Sequence, residues 1–257
     1  MSLNPAITEK LNELSTGLLA GHHIFSRDYD AALARRFSQP DKWSHNIRIS
    51  TQNSRRHIEQ YFAIREQTYK TAIGANFYAG EDENDSKSHI VLALAGDNCI
   101  GGIRITVSSP EKPMTLPTEC NVFQFSKIYG ELDFSNLTYC EATRLAILPD
   151  FSNGSVLPRL FEEATRFGTQ ELGVEMVFGR SASTQTRAFR THYKNMGYDL
   201  IIRRDIKPPS TGMDASIVQI FGIDVTPDRK YQHILESYNN DHLEKMAIEK
   251  AKQIEFV

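Results

Sequence analysis

The strongest hydrophobic pattern in the chain lies between Leu137 and Tyr198. Leu137–Leu148 is apolar and β-branched enough to read as a central strand. Pro149 to Ser155 is dense in turn residues. From Val156 the apolar positions change to helical spacing, with Leu157, Leu160, Phe161, Ala164 and Phe167 on one face. Gly168 and Gly173 bracket the helix exit, and Val174–Phe178 is short and β-rich. Thr186 to Met196 reads as a second helix closed by Gly197, where a helix C-cap is expected. Strand, turn, helix, strand and helix make a βαβ unit, so its two strands should pair in parallel.

Before this unit the periodicity is helical around Ile7, Leu11, Leu14 and Leu18, then looser around His22-His23 up to Pro40. The His pair has no third ligand nearby and reads as a surface or interfacial pair. Asn46–Ser50 is a short strand. Ser54 caps a helix running to about Ile73, with Ile58, Tyr61, Phe62 and Tyr69 as its apolar face. Gly74 to Ser88 is a loop carrying the acidic run Glu81–Asp85, which composition alone makes a solvated loop. His89–Ala95 and Cys99–Val107 flank Gly96-Asp-Asn98 and predict a tight hairpin. Pro110 to Asn136 is irregular and Phe-rich, a length at which connections are usually functional. Two more strands, Tyr198–Arg203 and Ser216–Gly222, flank a loop at Lys207 to Asp214. From Pro227 the chain turns polar and helix-forming, with Ile234, Leu235, Leu243, Met246 and Ile248 as its few apolar points.

This divides the 257 residues into a helical extension (1–40), one α/β domain (41–225) and a second helical extension (226–257). A net charge of −3 gives no reason to expect nucleic acid or an acidic membrane surface. No apolar run approaches the roughly 20 residues of a bilayer span, and no signal peptide is evident. Cys99, Cys120 and Cys140 form no metal-ligand spacing, and Cys140 has no local His to make it a nucleophile. The expectation is a cytoplasmic protein with no metal site, its oligomeric state open.

The element order, β-α-ββ-(long loop)-β-α-β-α-ββ, is that of the GNAT acyltransferase fold, a mixed sheet flanked by helices. A series of residues in chain order narrows the likeness. Arg65 and Tyr69 match an Arg-x-x-x-aromatic pattern on the first helix; Asp82 and Asp85 match Asp-x-x-Asp; Gly101-Gly-Ile-Arg104 precedes Lys112-Pro-Met-Thr-Leu116 and Phe123; Glu141-Ala-Thr-Arg144 closes the series. In these residues the chain resembles the LuxI-type acyl-homoserine-lactone synthases over about residues 55 to 180. It departs from them at Gly80, where they carry a glutamate, and near Ala75, where they carry a tryptophan. Both belong to the handling of S-adenosylmethionine. The chain therefore looks at least as similar to the N-acyl amino acid synthases, GNAT-fold enzymes that put a long acyl chain on an amino acid's nitrogen.

The resemblance implies a thioester donor, either phosphopantetheine on an acyl carrier protein or acyl-CoA, and no tightly bound cofactor. Ordinary acetyl-CoA enzymes carry a basic residue and two glycines in the pyrophosphate loop, where small residues let backbone N–H groups reach the phosphates. Here Ser152, Ser155 and Leu157 stand in those places, with Gly154 out of register, which points to a carrier protein. Amine acylation needs a base, a donor to the thioester carbonyl and a leaving thiolate. Glu141 is the candidate base, and main-chain N–H groups around Ala146 to Leu148 are the candidate carbonyl donors. Arg65, Arg104 and Arg144 with Asp82 and Asp85 would hold the acceptor loop and an acceptor carboxylate. Phe123, Phe125 and Phe178 are candidates for lining the acyl chain. Tyr193, in Tyr193-Lys-Asn-Met-Gly-Tyr198, matches the GNAT tyrosine that protonates the thiolate; packing of the helix is its other reading. By strand parity Glu141 and Arg144 fall on opposite faces. An acyl-homoserine-lactone synthase and a non-enzymatic GNAT-like binding protein are the alternatives.

Overall fold

The computed structural model describes residues 47–73, 80–120, 123–152, 155–203, 206 and 218–239. The expected N-terminal helix, the His22-His23 pair, Trp43, Ala75, Gly154, the loop from Lys207 to Asp214, and Leu243, Met246 and Ile248 lie outside these residues.

Seven strands are described: β1 (Ile47–Ser50), β2 (His89–Ala95), β3 (Asn98–Ser108), β4 (Tyr139–Ile147), β5 (Met176–Ala182), β6 (Leu200–Arg203) and β7 (Val218–Asp224). They form one sheet in the order β1-β2-β3-β4-β5-β7-β6. Its β4–β5 pair is parallel, as the βαβ reading requires, and the other pairs are antiparallel. Gly96, at φ 58°, supplies the left-handed residue of the β2–β3 turn.

The pleat sends alternate side chains to two differently built faces. Val91, Ile103, Ile105, Cys140 and Val177 point to the face covered by α2 (Val156–Glu171) and α3 (Ser183–Asn195). Leu160, Phe161 and Ala164 of α2 are buried against them, at the spacing read from sequence. The other face carries α1 (Arg55–Ile73), the Phe-rich loop and α4, helical over residues 232–239. Leu235 is fully buried in the same cluster as Phe125, Phe178 and Ile220, so this described part of the C-terminal segment packs on the sheet.

Ser54 caps α1, its Oγ accepting from the His57 N–H at 3.3 Å. The helix buries Tyr61, Ile64 and Arg65 completely, whereas Ile58, Phe62 and Tyr69 are only partly covered. An arginine therefore stands where the apolar pattern alone puts a hydrophobe. It can do so only because a carboxylate meets it there. The backbone of β3 admits α1 closely at Gly102, where a Cβ would come within 2.6 Å of Leu92 Cδ2, 2.9 Å of the Val91 carbonyl oxygen and 3.0 Å of the Tyr61 ring. Gly102→Ala should destabilise the protein by about 1–3 kcal/mol through this overpacking, read as a lowered denaturation midpoint. An unchanged midpoint would mean that α1 tolerates displacement from the sheet.

Candidate active site

Three arginines and two aspartates interlock between α1, the loop after it, and strands β3 and β4. The buried Arg65 meets Asp85 through two parallel bonds, Nη1 to Oδ1 at 2.8 Å and Nη2 to Oδ2 at 2.7 Å. Its Nη2 also donates to the Gly80 carbonyl. Arg104 Nη1 reaches Asp82 Oδ1 at 2.5 Å and Asp85 Oδ1 at 3.1 Å, and its Nε donates to Thr143 Oγ1 at 3.1 Å. Arg144 Nη2 takes the other Asp82 oxygen at 3.0 Å, with its guanidinium 5.9 Å from the Tyr69 ring centre. Exposure grades outwards along this chain of charge. The Arg65 and Asp85 side chains are 0% and 2% exposed, those of Asp82 and Arg144 20% and 22%. Bonds from Arg65 and from the Asp82 N–H hold the Asp85 carboxyl below the usual range even though burial pushes it up.

Strand parity puts Arg144 on the wrong face for this network, and a β-bulge corrects it. Gly102 pairs with Ala146 and Arg104 with Thr143, so Arg144 and Leu145 together oppose Ile103. Arg144 has φ 57°, a left-handed conformation that costs a non-glycine residue free energy. The Tyr61 hydroxyl donates to the Arg144 carbonyl at 2.5 Å and holds the bulge. Parity flips across it: Ala146 joins the face of Glu141 and Thr143, while Leu145 and Ile147 pack towards α2 and α3.

Glu141 lies where the sheet begins to open. β4 and β5 pair over Tyr139–Glu141 and Met176–Phe178, then both continue without pairing, leaving a seam. Glu141, facing the seam's apex, is fully buried. Its Oε2 accepts from the Thr118 N–H at 2.8 Å and its Oε1 from the Thr118 hydroxyl. Burial raises its pKa to about 7, against the lowering effect of Thr118, Arg180 and Arg104. A carboxylate poised near neutrality suits a general base. Arg180, two residues beyond Phe178 on the same strand face, borders Glu141 and Arg144. Neither Thr118 nor Arg180 belongs to the sequence-derived site. Thr118 gives no sequence signal, whereas a lone arginine in Met176–Ala182 was a readable one.

Other expected site residues take different places. Tyr193 is buried on the opposite face, its ring 5.5 Å from Phe161 in an edge-on contact and its hydroxyl towards Thr165. There it packs α3 on the sheet, on the face opposite Glu141. The Leu148 N–H donates to Ile100 O at 2.9 Å and is thus unavailable to a carbonyl. By the alternation of the ladder, Ala146 points its N–H the same way, and those of Leu145 and Ile147 face the seam. Phe123, Phe125 and Phe178 pack on one another, Phe125 stacked 4.9 Å from Phe178 and edge-on 5.8 Å from Phe123. All three rings are buried. Among the described residues no cluster of His, Cys, Asp or Glu could hold a metal ion.

Against known proteins, residues 60–210 match the family model described as N-acyl amino acid synthase FeeM. The chain belongs to this family. It is an acyltransferase of the N-acyl amino acid synthase kind. Solved structures similar to it include a CoA-dependent acyl-homoserine lactone synthase, MesI, at 19% identity and TM-score 0.48, covering 76% of this chain and 95% of that one. FeeM itself, an N-acyl amino acid synthase from uncultured soil microbes, aligns at 11% identity and TM-score 0.46 over 69% and 89% of the two chains. A GNAT-family acetyltransferase from Staphylococcus aureus Mu50 aligns at 14% and 0.43 over 70% and 99%. None of the curated proteins matches significantly. No helix among the described residues is long and apolar enough to cross a membrane.

The graded burial of the network separates stability from activity. Arg104→Ala leaves Asp82 and Asp85 short of a partner in a buried site, with an expected loss of about 3–5 kcal/mol. Arg144→Ala, at the exposed end, should cost far less stability yet still abolish transfer. Denaturant unfolding and turnover measured on both variants check this; equal stability losses would contradict the gradient, and full activity in either would remove the network from the site.

Proposed function

We propose that the protein transfers a long acyl chain from a carrier-protein thioester to the amine of a free amino acid, giving an N-acyl amino acid. The observation that carries this reading is a buried glutamate, raised to about 7, at the apex of a parting pair of strands. The donor's pantetheine arm lies along the unpaired edge of β4, where the N–H groups of Leu145 and Ile147 face its amides and thioester carbonyl. Glu141 takes a proton from the acceptor ammonium, and the freed amine attacks the thioester carbon. The tetrahedral oxyanion draws on the same main-chain donors. Its collapse breaks the C–S bond; the nitrogen loses its second proton and the thiolate gains one.

Two features of the chain support the choice of substrates. Ser152, Ser155 and Leu157 leave the pyrophosphate loop without a basic residue or glycines, which disfavours CoA. Gly80 and Ala75 deprive an adenosyl-sulfonium group of the carboxylate and aromatic partners it would need, whereas arginines suit a carboxylate. A carrier-protein thioester should therefore exceed the matched acyl-CoA in kcat/KM, and equal use of both would reject that choice. The acceptor is tested in the same reactions by mass spectrometry. Release of methylthioadenosine from S-adenosylmethionine would favour the lactone synthase instead.

The pKa of Glu141 makes two further outcomes measurable. If ionised Glu141 is the base, kcat/KM should rise with pH through a limb near 7, and Glu141→Gln should lose about 100-fold or more in turnover. The folded state holds this proton more tightly than the unfolded chain, so the protonated Glu141 adds to stability in full below the ordinary carboxylate range. That contribution is lost as pH rises towards about 7. Glu141→Gln should flatten stability over that window while removing activity. A pH profile without the limb would exclude Glu141 as base.

A further inference from the structure

Glu141 is 0% exposed, whereas Thr118, which bonds it, keeps 6% of its surface in contact with solvent. The Thr118 N–H donates to Oε2 at 2.8 Å and the Thr118 hydroxyl to Oε1. One residue therefore serves both oxygens of the candidate base, and it is the member of the pair that solvent reaches. A hydroxyl has one proton to give and two lone pairs with which to accept. Thr118 Oγ can thus receive a proton on one side while passing its own to Glu141 on the other. Arg104 on β3 and Arg180 on β5 act on the same carboxylate through its charge. A guanidinium has no lone pair to accept with and does not give up its proton at working pH, so neither arginine can do this.

The Phe-rich loop is built to hold Thr118 in that place. Thr118 is the third residue of a turn closed by the Glu119 N–H on the Leu116 carbonyl at 2.9 Å. The Glu119 carboxylate then ties the turn to its flanks, Oε2 accepting from the Leu116 N–H at 2.8 Å and Oε1 from the Phe125 N–H at 2.9 Å. Leu116 and Phe125 are both buried in the apolar cluster on this face of the sheet. Two anchored residues and a bridging carboxylate fix the turn, which is what a proton transfer of defined geometry needs. Resting on the acyl-transfer reading above, we infer that the Thr118 hydroxyl relays the proton from the acceptor ammonium to Glu141, so that the buried carboxylate acts as base without meeting the substrate. In that step an N–H bond of the ammonium breaks as a new O–H bond forms on Thr118. The original Thr118 O–H bond breaks as Glu141 Oε1 takes its proton. The ammonium becomes a neutral amine, the carboxylate becomes the acid, and the threonine is regenerated. After the product forms, the proton leaves Glu141 for solvent by the reverse route.

The test uses the full chain, with dodecanoyl carrier protein, a panel of common amino acids and product read by mass spectrometry. Thr118→Val keeps the shape and the N–H but loses the relay; Thr118→Ser keeps the hydroxyl. Thr118, Arg104 and Arg180 all lower the Glu141 pKa against burial, so Thr118→Val should move the limb near 7 upwards whatever its role. The plateau above the limb decides. A relay predicts that plateau kcat falls roughly 10- to 100-fold in Thr118→Val with KM within a few-fold, and that Thr118→Ser stays within a few-fold of wild type. Thr118→Ala, which also keeps the N–H, carries the same expectation where the valine variant does not fold. A plateau kcat equal to wild type in the variant without the hydroxyl would make Thr118 a positioning residue of Glu141 only. A serine variant as slow as the valine one would assign the loss to packing. Each of these overturns the inference while leaving acyl transfer in place. A wild type that forms no N-acyl amino acid, or a Glu141→Gln variant with full turnover, overturns the reading of Glu141 as base and the relay with it.

Discussion

A buried carboxylate, Asp85, ties the structure's active half together. Its two oxygens receive both arms of Arg65 from α1, Nη1 of Arg104 from β3, and its own loop's Asp82 N–H at 2.7 Å. None of these partners can be withdrawn without stranding charge in a site from which water is excluded. The helix, the acidic loop and the strand are therefore held at one point by electrostatics, not by apolar contact. Once Asp85 is fixed, Asp82 is delivered three residues earlier in a tight turn, with its carboxylate open on one side to Arg144. The order of burial along the network follows from that anchoring.

Two irregularities of β4 then convert an anchored network into a site. The bulge at Arg144 brings its guanidinium to Asp82 and flips the parity of everything after it. The parting from β5 exposes main-chain N–H groups that a regular sheet would consume. Neither device works alone. Without the bulge the N–H groups along the seam and the carboxylate of Glu141 would keep the register of an unbroken ladder; without the parting no ligand could reach them. Tyr61 connects the two, because its hydroxyl fixes the bulge from α1, the same helix that Asp85 anchors through Arg65.

What could be read in the sequence follows the distance over which each feature is determined. The parallel β4–β5 pair, the β2–β3 turn at Gly96 and the buried stripe of α2 depend on periods and turn residues within short windows, and the structure has them. The Asp82, Asp85, Arg104 and Glu141 series is legible because charged residues in β-rich or motif-like runs need partners. Arg65 escapes the apolar pattern of its helix because a carboxylate 20 residues away decides its burial. The bulge carries no glycine to announce it; an arginine at φ 57° looks like any strand residue in sequence. Tyr193 reads equally as acid or packing residue until the sheet has two faces, and only then does Cys140, its neighbour across the core, part it from Glu141. Arg180 requires knowing where β4 and β5 separate, a property of two strands and not of either.

The two faces of the sheet differ in a way that bears on why the charges are there. Against α2 and α3 the sheet buries Val91, Ile103, Ile105, Val177 and Ile223, a core that needs no polar partner. Against α1 it buries Arg65, Arg104, Asp85 and Glu141. Scaffold stability alone gives no reason for that contrast, since well-packed apolar residues of similar volume commonly serve as well as buried ion networks. What apolar packing cannot do is hold a carboxylate near neutrality beside a fixed field of guanidinium groups. The desolvation that raises Glu141 is the same desolvation that obliges Arg65 and Arg104 to pair inwardly. The raised pKa of Glu141 and the inward pairing of Arg65 and Arg104 thus arise from one cause, the burial of charge on a single face of the sheet.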